Sequence, residues 1–405
     1  MTDTRKINLV TRVEGHGSLH LVHREGKVVD GRFQLHESPR LFEALLKGKR
    51  YDEVADIACR ICSICSTVHK VAALMATEQA LGVQVSRQTG LLRQLAVQGG
   101  MIESHALHIF CLALPDHHGV NGFPGLAEVA PHKLKLGLEI KALGNQIQET
   151  VGGRAIHPFN LLPGGMGRAP ERSALEQLAD RLSALHDDVA GVVYYVAGLP
   201  PLLPELPLLP ACAVSGGPPL FGDRLITSTG ATIPAQQALA WFNEQVQADT
   251  NAKVSRFSDH PHCLVGPMAR CTLYARSAGK SLNEALLARA IELQQSLVQA
   301  RELIATLISD GIVNEARPTI VPRSGEGVAI VEAPRGVLLH RYCFDQQGIC
   351  TAAEIVTPTA INQAAMQSSL TALIARMPDA TEEQITIAAE RLIRCFDPCI
   401  SCAVH

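Results

Sequence analysis

Apolar and polar positions alternate through Ile7-Asn8-Leu9-Val10 and Leu19-His20-Leu21-Val22, the two-residue period of a half-buried strand. Arg24-Glu25-Gly26-Lys27 and Asp30-Gly31 supply turn chemistry between such runs, so residues 7–36 predict a small antiparallel sheet. From Pro39 the spacing changes to three and four. It predicts a short helix to about Leu46, one after Cys65 to about Leu81, and long ones near 88–114, 125–151 and 169–198. The run Leu199-Pro200-Pro201-Leu202-Leu203-Pro204 cannot continue a helix, because each proline lacks an amide donor and clashes with the preceding turn. Helical spacing returns near 233–249 and 281–310. Val328 to Val356 reads as strands broken at Pro334-Arg335-Gly336 and Gln346-Gln347-Gly348, and helices near 359–376 and 381–395 lead to the C-terminus. The pattern predicts a predominantly helical α+β fold with peripheral antiparallel β-structure. It is read as one domain over 1–405: a β region at about 7–36, a helical core at about 39–310, a β region at about 323–357 and a C-terminal segment at 358–405.

Composition narrows the class. Of 405 residues 47% are hydrophobic and 19% charged, enough to fill a large core and little for long disordered tails. Lys+Arg is 36 against Asp+Glu 39, so charge offers no reason to expect nucleic acid or an anionic membrane as partner. The apolar stretch Val189 to Leu199 is too short to span a bilayer and runs into Pro200-Pro201. Met1 to Lys6 leads into strand-like sequence without the apolar block of a secretory signal, and a cytoplasmic location is expected.

Cysteine is the informative residue. Eight of twelve are scattered singly, at 59, 111, 212, 263, 271, 343, 350 and 395, and read as small buried hydrophobes in a reducing compartment. The other four form two C-x-x-C pairs at opposite ends of the chain, Cys62/Cys65 and Cys399/Cys402. A two-residue gap lets both sulfurs of a pair face one ion, so two such pairs make a four-sulfur site. Three readings compete. A structural zinc site normally staples a small domain with pairs about 15 to 20 residues apart, which these are not. Independent thiol–disulfide motifs would want a thioredoxin-like βαβ pattern, which is missing. A redox-active transition metal such as nickel or iron suits soft thiolates, although spacing does not name it.

The same residues carry a family resemblance over essentially the whole chain. Thr11-Arg12-Val13-Glu14-Gly15-His16-Gly17 resembles the opening R-x-E-G-H element of the large, catalytic subunit of nickel–iron hydrogenases. Arg60 to His69 resembles its R-x-C-x-x-C-x-x-x-H element, and Asp397 to His405 its closing D-P-C-x-x-C-x-x-H. Gly152-Gly153-Arg154-Ala155-Ile156-His157-Pro158 and Glu332-Ala333-Pro334-Arg335-Gly336 also look like family motifs, in the expected order. Ser63 departs from the glycine that many members place between the first two cysteines. The short chain is similar to the compact, soluble, cofactor-linked branch.

The resemblance implies reversible, heterolytic cleavage of hydrogen. It implies nickel held by Cys62, Cys65, Cys399 and Cys402, with Cys65 and Cys402 bridging to an iron that carries CO and two cyanides. Glu14 is then the proton relay beside Cys399, and Arg335 after Pro334 lies over the open metal position. Glu43, the backbone carbonyl of Ile355 and His405 look like ligands of magnesium or another divalent cation. His69, Asp397 and Pro334 support the site, with Asp116, Arg154 and His157 as weaker candidates, while His105 and His108 are read as packing residues. In the family a C-terminal extension after the closing histidine is removed once nickel is inserted, so a chain stopping at His405 looks like the mature form. No further cluster-binding spacing remains among the cysteines, so iron–sulfur clusters are expected only in a partner small subunit. Further electron-transfer subunits linked to NAD(P), a deazaflavin or a heterodisulfide are expected as well. A non-catalytic scaffold of the same fold is the alternative, against which all four cysteines argue.

Overall fold

The computed structural model describes residues 3–207, 209–215, 220–246, 250–258, 260–275 and 279–405. An N-terminal antiparallel sheet is formed by Asp3–Leu9, Gly17–Arg24 and Lys27–Leu35, with Gly17–Arg24 in the middle. Its hairpin turns at Glu25 and Gly26, at φ 53° and 77°, the left-handed pair whose twist matches the flanking strands. Residues 10–16 form the loop between the first two strands and reach across to the C-terminus, where the Ile400 amide donates to the Glu14 carbonyl at 3.1 Å.

The helices Ser66–Leu81, Arg87–Leu107, Pro131–Gly152 and Ala285–Asp310 build the main core. Arg87–Leu107 and Pro131–Gly152 approach closely because glycines face each other: a β-carbon on Gly144 would lie 2.6 Å from the Gly99 carbonyl. Ser66–Leu81 is buried almost all round, as its small residues Ala72, Ala73, Ala76 and Ala80 imply. Against it runs a sheet ordered Cys350–Val356, Gly336–Phe344, Gly325–Ala333 and Phe221–Gly222. Ala333 pairs with Gly336, so Pro334-Arg335 is a two-residue hairpin tip where the sequence predicts a break.

Several elements differ from expectation. The helix expected at 125–151 is two, Gly122–Val129 and Pro131–Gly152, parted at Ala130 because the residue before proline is pushed out of helical geometry. That at 169–198 divides at Leu185 into Arg172–Ala184 and His186–Ala197. That at 88–114 winds as α-helix to Leu107 and continues as a wider π-type turn over His108–Ala113. The helix expected at 233–249 is the largest error; residues 247–249 of it lie outside the described residues. Only Ala235–Ala238 and a tight turn to Trp241 are helical, and Phe242–Val246 pairs antiparallel with Lys253–Phe257. Stacking of Trp241 and edge contact of Phe242 on Phe257, each at 5.5 Å between ring centroids, overrides the helical propensity of this stretch. Helix Tyr51–Ala58 and the small sheet of Cys212–Val214, Arg224–Thr227 and Thr232–Pro234 were not anticipated. No described helix is long and apolar enough to cross a membrane.

Candidate metal centre

The chain's two ends converge on one buried point. Asp116 fixes them together: its carboxylate accepts from Arg12 in the N-terminal loop at 2.7 Å and from Arg394 in the last long helix at 2.7 Å. Cys62 follows a tight turn over Cys59–Ile61, and Cys65 starts helix Ser66–Leu81. Cys399 precedes the short turn Ile400–Ala403, which carries Cys402. Side chains of the helix Pro358–Ala375 and the residue before it anchor this turn: the Cys399 amide donates to Thr359 at 2.9 Å, and the Thr357 hydroxyl donates to the Cys402 carbonyl at 3.1 Å.

The four sulfurs all lie within 4.8 Å of one another. Cys62 and Cys399 are 3.4 Å apart, Cys65 and Cys402 3.3 Å, and Cys399 and Cys402 3.0 Å. All are at most 5% exposed. Burial opposes ionisation of each thiol and leaves Cys65 and Cys402 raised, while hydrogen bonds from neighbouring sulfurs outweigh it at Cys62 and Cys399 and lower them, Cys399 to about 7; crowded sulfurs of this kind suit a bound cation that stabilises the thiolates. Beside Cys65, Cys399 and Cys402 is a small cavity also bounded by His69, Arg335, Ala333, Leu338, Pro358 and Thr359. Arg335 donates through Nε to the Asp397 carbonyl at 2.8 Å and through Nη2 to its carboxylate at 3.2 Å. Its Nη1 is buried without a partner among the described residues. A buried guanidinium nitrogen without an acceptor, on a cavity lined by thiols, fits a metal carrying a small acceptor ligand.

Beside Cys399, Glu14 accepts from the Ser401 amide at 3.1 Å and from the Ser401 hydroxyl, and its backbone pairs with Cys399. Burial, followed by the charge of Cys399, raises its pKa to about 7. His69 places Nε2 at 3.7 Å from the Cys402 sulfur; burial, with the nearby His405 second, lowers its pKa to about 3.

The comparisons with known proteins agree with this donor set. A model of the nickel-dependent hydrogenases matches residues 40–122 and 233–405. The alpha subunit of sulfhydrogenase 2 from Pyrococcus furiosus is 38% identical, over 98% of this chain and 97% of its own. The chain belongs to the nickel-dependent hydrogenase family. The HoxS beta subunit of the NAD-reducing hydrogenase of Cupriavidus necator is 26% identical, over 98% of this chain and 94% of its own. The crystal structure of an NAD+-reducing NiFe hydrogenase in the H2-reduced state superposes with a TM-score of 0.86 at 25% identity, covering 100% of this chain and 99% of that one. The Ni-Fe-Se hydrogenase of D. vulgaris Hildenborough, 23% identical with a TM-score of 0.81, shares the fold over both chains in full. This family membership and the four converging cysteines set aside the scaffold alternative and the zinc staple.

The remaining sequence candidates of this hydrogenase subunit also gather. Glu43 accepts from the Ile355 amide at 2.8 Å, and His405 places Nε2 at 2.8 Å from the Ile355 carbonyl and Nδ1 at 2.5 Å from the Cys402 carbonyl. A neutral imidazole donates to only one of two carbonyls, so the other contact sets lone pair against lone pair unless a cation lies there. Sequence reasoning missed Lys253, whose ammonium reaches Glu43 at 2.6 Å and Glu244 at 3.2 Å. Glu43 comes from the helix Phe42–Leu46 and Glu244 from strand Phe242–Val246, which the spacing predicts as helix. It also missed Arg270, buried, which donates to the carbonyls of Ala333 and Pro334, both at 3.1 Å, and so holds the hairpin tip ahead of Arg335. Glu292 and Glu332 neutralise it. The Gly266-Pro267-Met268-Ala269-Arg270 stretch gave no periodic signal. His157 sits away from the sulfurs, donating from its amide to Ser66 and placing Nδ1 3.1 Å from the Cys59 carbonyl. Arg154 stacks on Phe159. His108 contacts the Arg394 carbonyl and His105 lies 3.1 Å from Glu292, both as packing residues.

Proposed function

We propose that this chain is the catalytic subunit of a nickel–iron hydrogenase in which Cys62, Cys65, Cys399 and Cys402 would hold nickel, with Cys65 and Cys402 also holding iron. The convergence of four buried sulfurs from the two chain ends carries the reading. When bound, a nickel–iron pair whose iron bears CO and two cyanides supplies the redox chemistry that divides hydrogen into two protons and two electrons. The protein supplies the rest. Arg335 keeps its charge, since Asp397 and the thiols outweigh its burial, and it lines the cavity with Nη1 left without a partner among the described residues. Asp397, only 2% exposed, fixes the guanidinium through two hydrogen bonds, and Pro334 stiffens the tip that presents it. Glu14, on the Cys399 side, takes the proton from the terminal sulfur and passes it toward the Ser401 hydroxyl that it contacts.

Glu43, the Ile355 carbonyl and His405 would hold magnesium or a similar divalent ion, with Lys253 and Glu244 around it. Oxygen donors with one imidazole suit a hard cation. Electrons would leave to a partner subunit carrying iron–sulfur clusters. Among the described residues the four cysteines are the only group of three or more His, Cys, Asp or Glu placed to hold a metal. Further subunits linked to NAD(P), a deazaflavin or a heterodisulfide would then receive them. The twelve free thiols favour a reducing, cytoplasmic setting.

The holoprotein should exchange deuterium gas with water protons and reduce an artificial dye with hydrogen; nickel-loaded protein that does neither refutes the reading. Arg335→Lys should keep its nickel yet turn over about 10²-fold more slowly, because a point-charge ammonium cannot hold two Asp397 contacts and aim a third donor. Loss of nickel at unchanged turnover per nickel would make Arg335 a structural residue instead.

A further inference from the structure

A chain of buried polar side chains runs outward from Cys402. His69 on helix Ser66–Leu81 places Nε2 at 3.7 Å from the Cys402 sulfur and Nδ1 at 3.1 Å from His340 Nε2. His340 Nδ1 is 2.6 Å from the Tyr342 hydroxyl. His340 and Tyr342 are two apart on strand Gly336–Phe344, so they share a face, and all three side chains are at most 1% exposed. Among the described residues the Tyr342 hydroxyl has no other hydrogen bond. Counting donors fixes the direction. If His340 carried a proton on Nδ1, it would point at the Tyr342 oxygen, and the phenol proton would face the apolar core with no acceptor. That holds whether His340 is neutral or an imidazolium. An imidazolium at His69 forces the same outcome, because its Nδ1 proton then takes His340 Nε2 and drives the His340 proton to Nδ1. Only one arrangement satisfies every group: Tyr342 O–H to His340 Nδ1, His340 Nε2–H to His69 Nδ1, and His69 Nε2–H to the sulfur.

We propose that His340 and Tyr342 are positioning residues that hold His69 as a donor to the Cys402 sulfur and, by polarising it, set how strongly that thiolate donates to the metals. The inference rests on the reading of Cys402 as a metal-bound thiolate. Each hydrogen bond in such a chain strengthens the next, since a ring that accepts at Nδ1 is a more acidic donor at Nε2. A sulfur that accepts a stronger hydrogen bond gives less electron density to its metals. Loss of the chain should make the metals more electron-rich and lower the stretching frequencies of the CO and cyanide on iron.

The test is infrared spectroscopy of the purified holoprotein and of His69→Leu, His340→Leu and Tyr342→Phe, with nickel and iron content measured on each sample. The expected result is full metal loading and bands displaced to lower frequency in all three, least in Tyr342→Phe and most in His69→Leu. Tyr342→Phe removes one oxygen without changing shape, so it remains informative if a leucine variant does not accumulate. Introduced into His69→Leu, Tyr342→Phe should cause no additional displacement, because its effect passes through His69. Parental bands in Tyr342→Phe and His340→Leu beside displaced bands in His69→Leu would overturn this inference and leave the metal reading standing. So would an equal displacement by Tyr342→Phe with and without His69. Absence of CO and cyanide bands from the parent would remove the metal reading and this inference with it.

Discussion

Cys402→Ser is expected to give a folded chain with no stably bound nickel and no detectable hydrogen–deuterium exchange. A serine hydroxyl stays protonated where a thiol ionises, and its hard oxygen is a poor donor for a soft metal. Cys402 stands 3.0 Å from Cys399 and 3.3 Å from Cys65, so its loss opens both the nickel side and the proposed iron side at once. The change removes little volume from the core, and circular dichroism should remain that of the parent. Cys343→Ser, at a half-buried position whose thiol faces Glu326, is the matched control and should load nickel normally. Parental nickel and activity in Cys402→Ser would contradict the assigned ligand set, as would equal losses in both variants.

Glu14→Gln should retain nickel and iron yet exchange hydrogen isotopes about 10³-fold more slowly, within the range that positioned acid–base groups contribute. The amide keeps the size of the side chain and one acceptor oxygen for Ser401, so the loop 10–16 should stay against the C-terminal turn. What it cannot do is carry a proton. Dye-linked turnover should fall in parallel with exchange, because both need a proton to leave the sulfur. A variant exchanging at the parental rate would take Glu14 out of the path, and one that lost metal would make its contacts to Ser401 structural.

Much of the site was legible because its signals are local. Two C-x-x-C pairs need no fold to be noticed, and the Pro334-Arg335 break in a strand pattern marks a hairpin tip wherever it lies. That the pairs meet was implied by resemblance, and the structure supplies the cause: Asp116 binding Arg12 and Arg394, and Arg40 pairing its amide with the Val404 carbonyl at 2.9 Å. Less legible were residues whose role depends on a partner far along the chain. Lys253 and Glu244 face each other on a hairpin whose first strand, Phe242–Val246, falls in a stretch of helical spacing, and the ring contacts of Trp241 and Phe242 to Phe257 favour the strand. His340 and Tyr342 gave a faint signal, a histidine at the end of the apolar run Val337-Leu338-Leu339, whose meaning depends on His69 lying opposite. Arg270 gave none, because a lone arginine in sequence does not reveal that its acceptors are the backbone carbonyls of a distant turn.

The central claim is that four thiolates from the two ends of the chain hold one nickel and one iron. Metal analysis of the purified protein, joined to its infrared spectrum in the region of CO and cyanide stretches, tests it most directly. The expected result is nickel and iron in equal amounts with one CO band and two cyanide bands, all lost in Cys402→Ser. A single zinc in their place, with an empty infrared window, would contradict it.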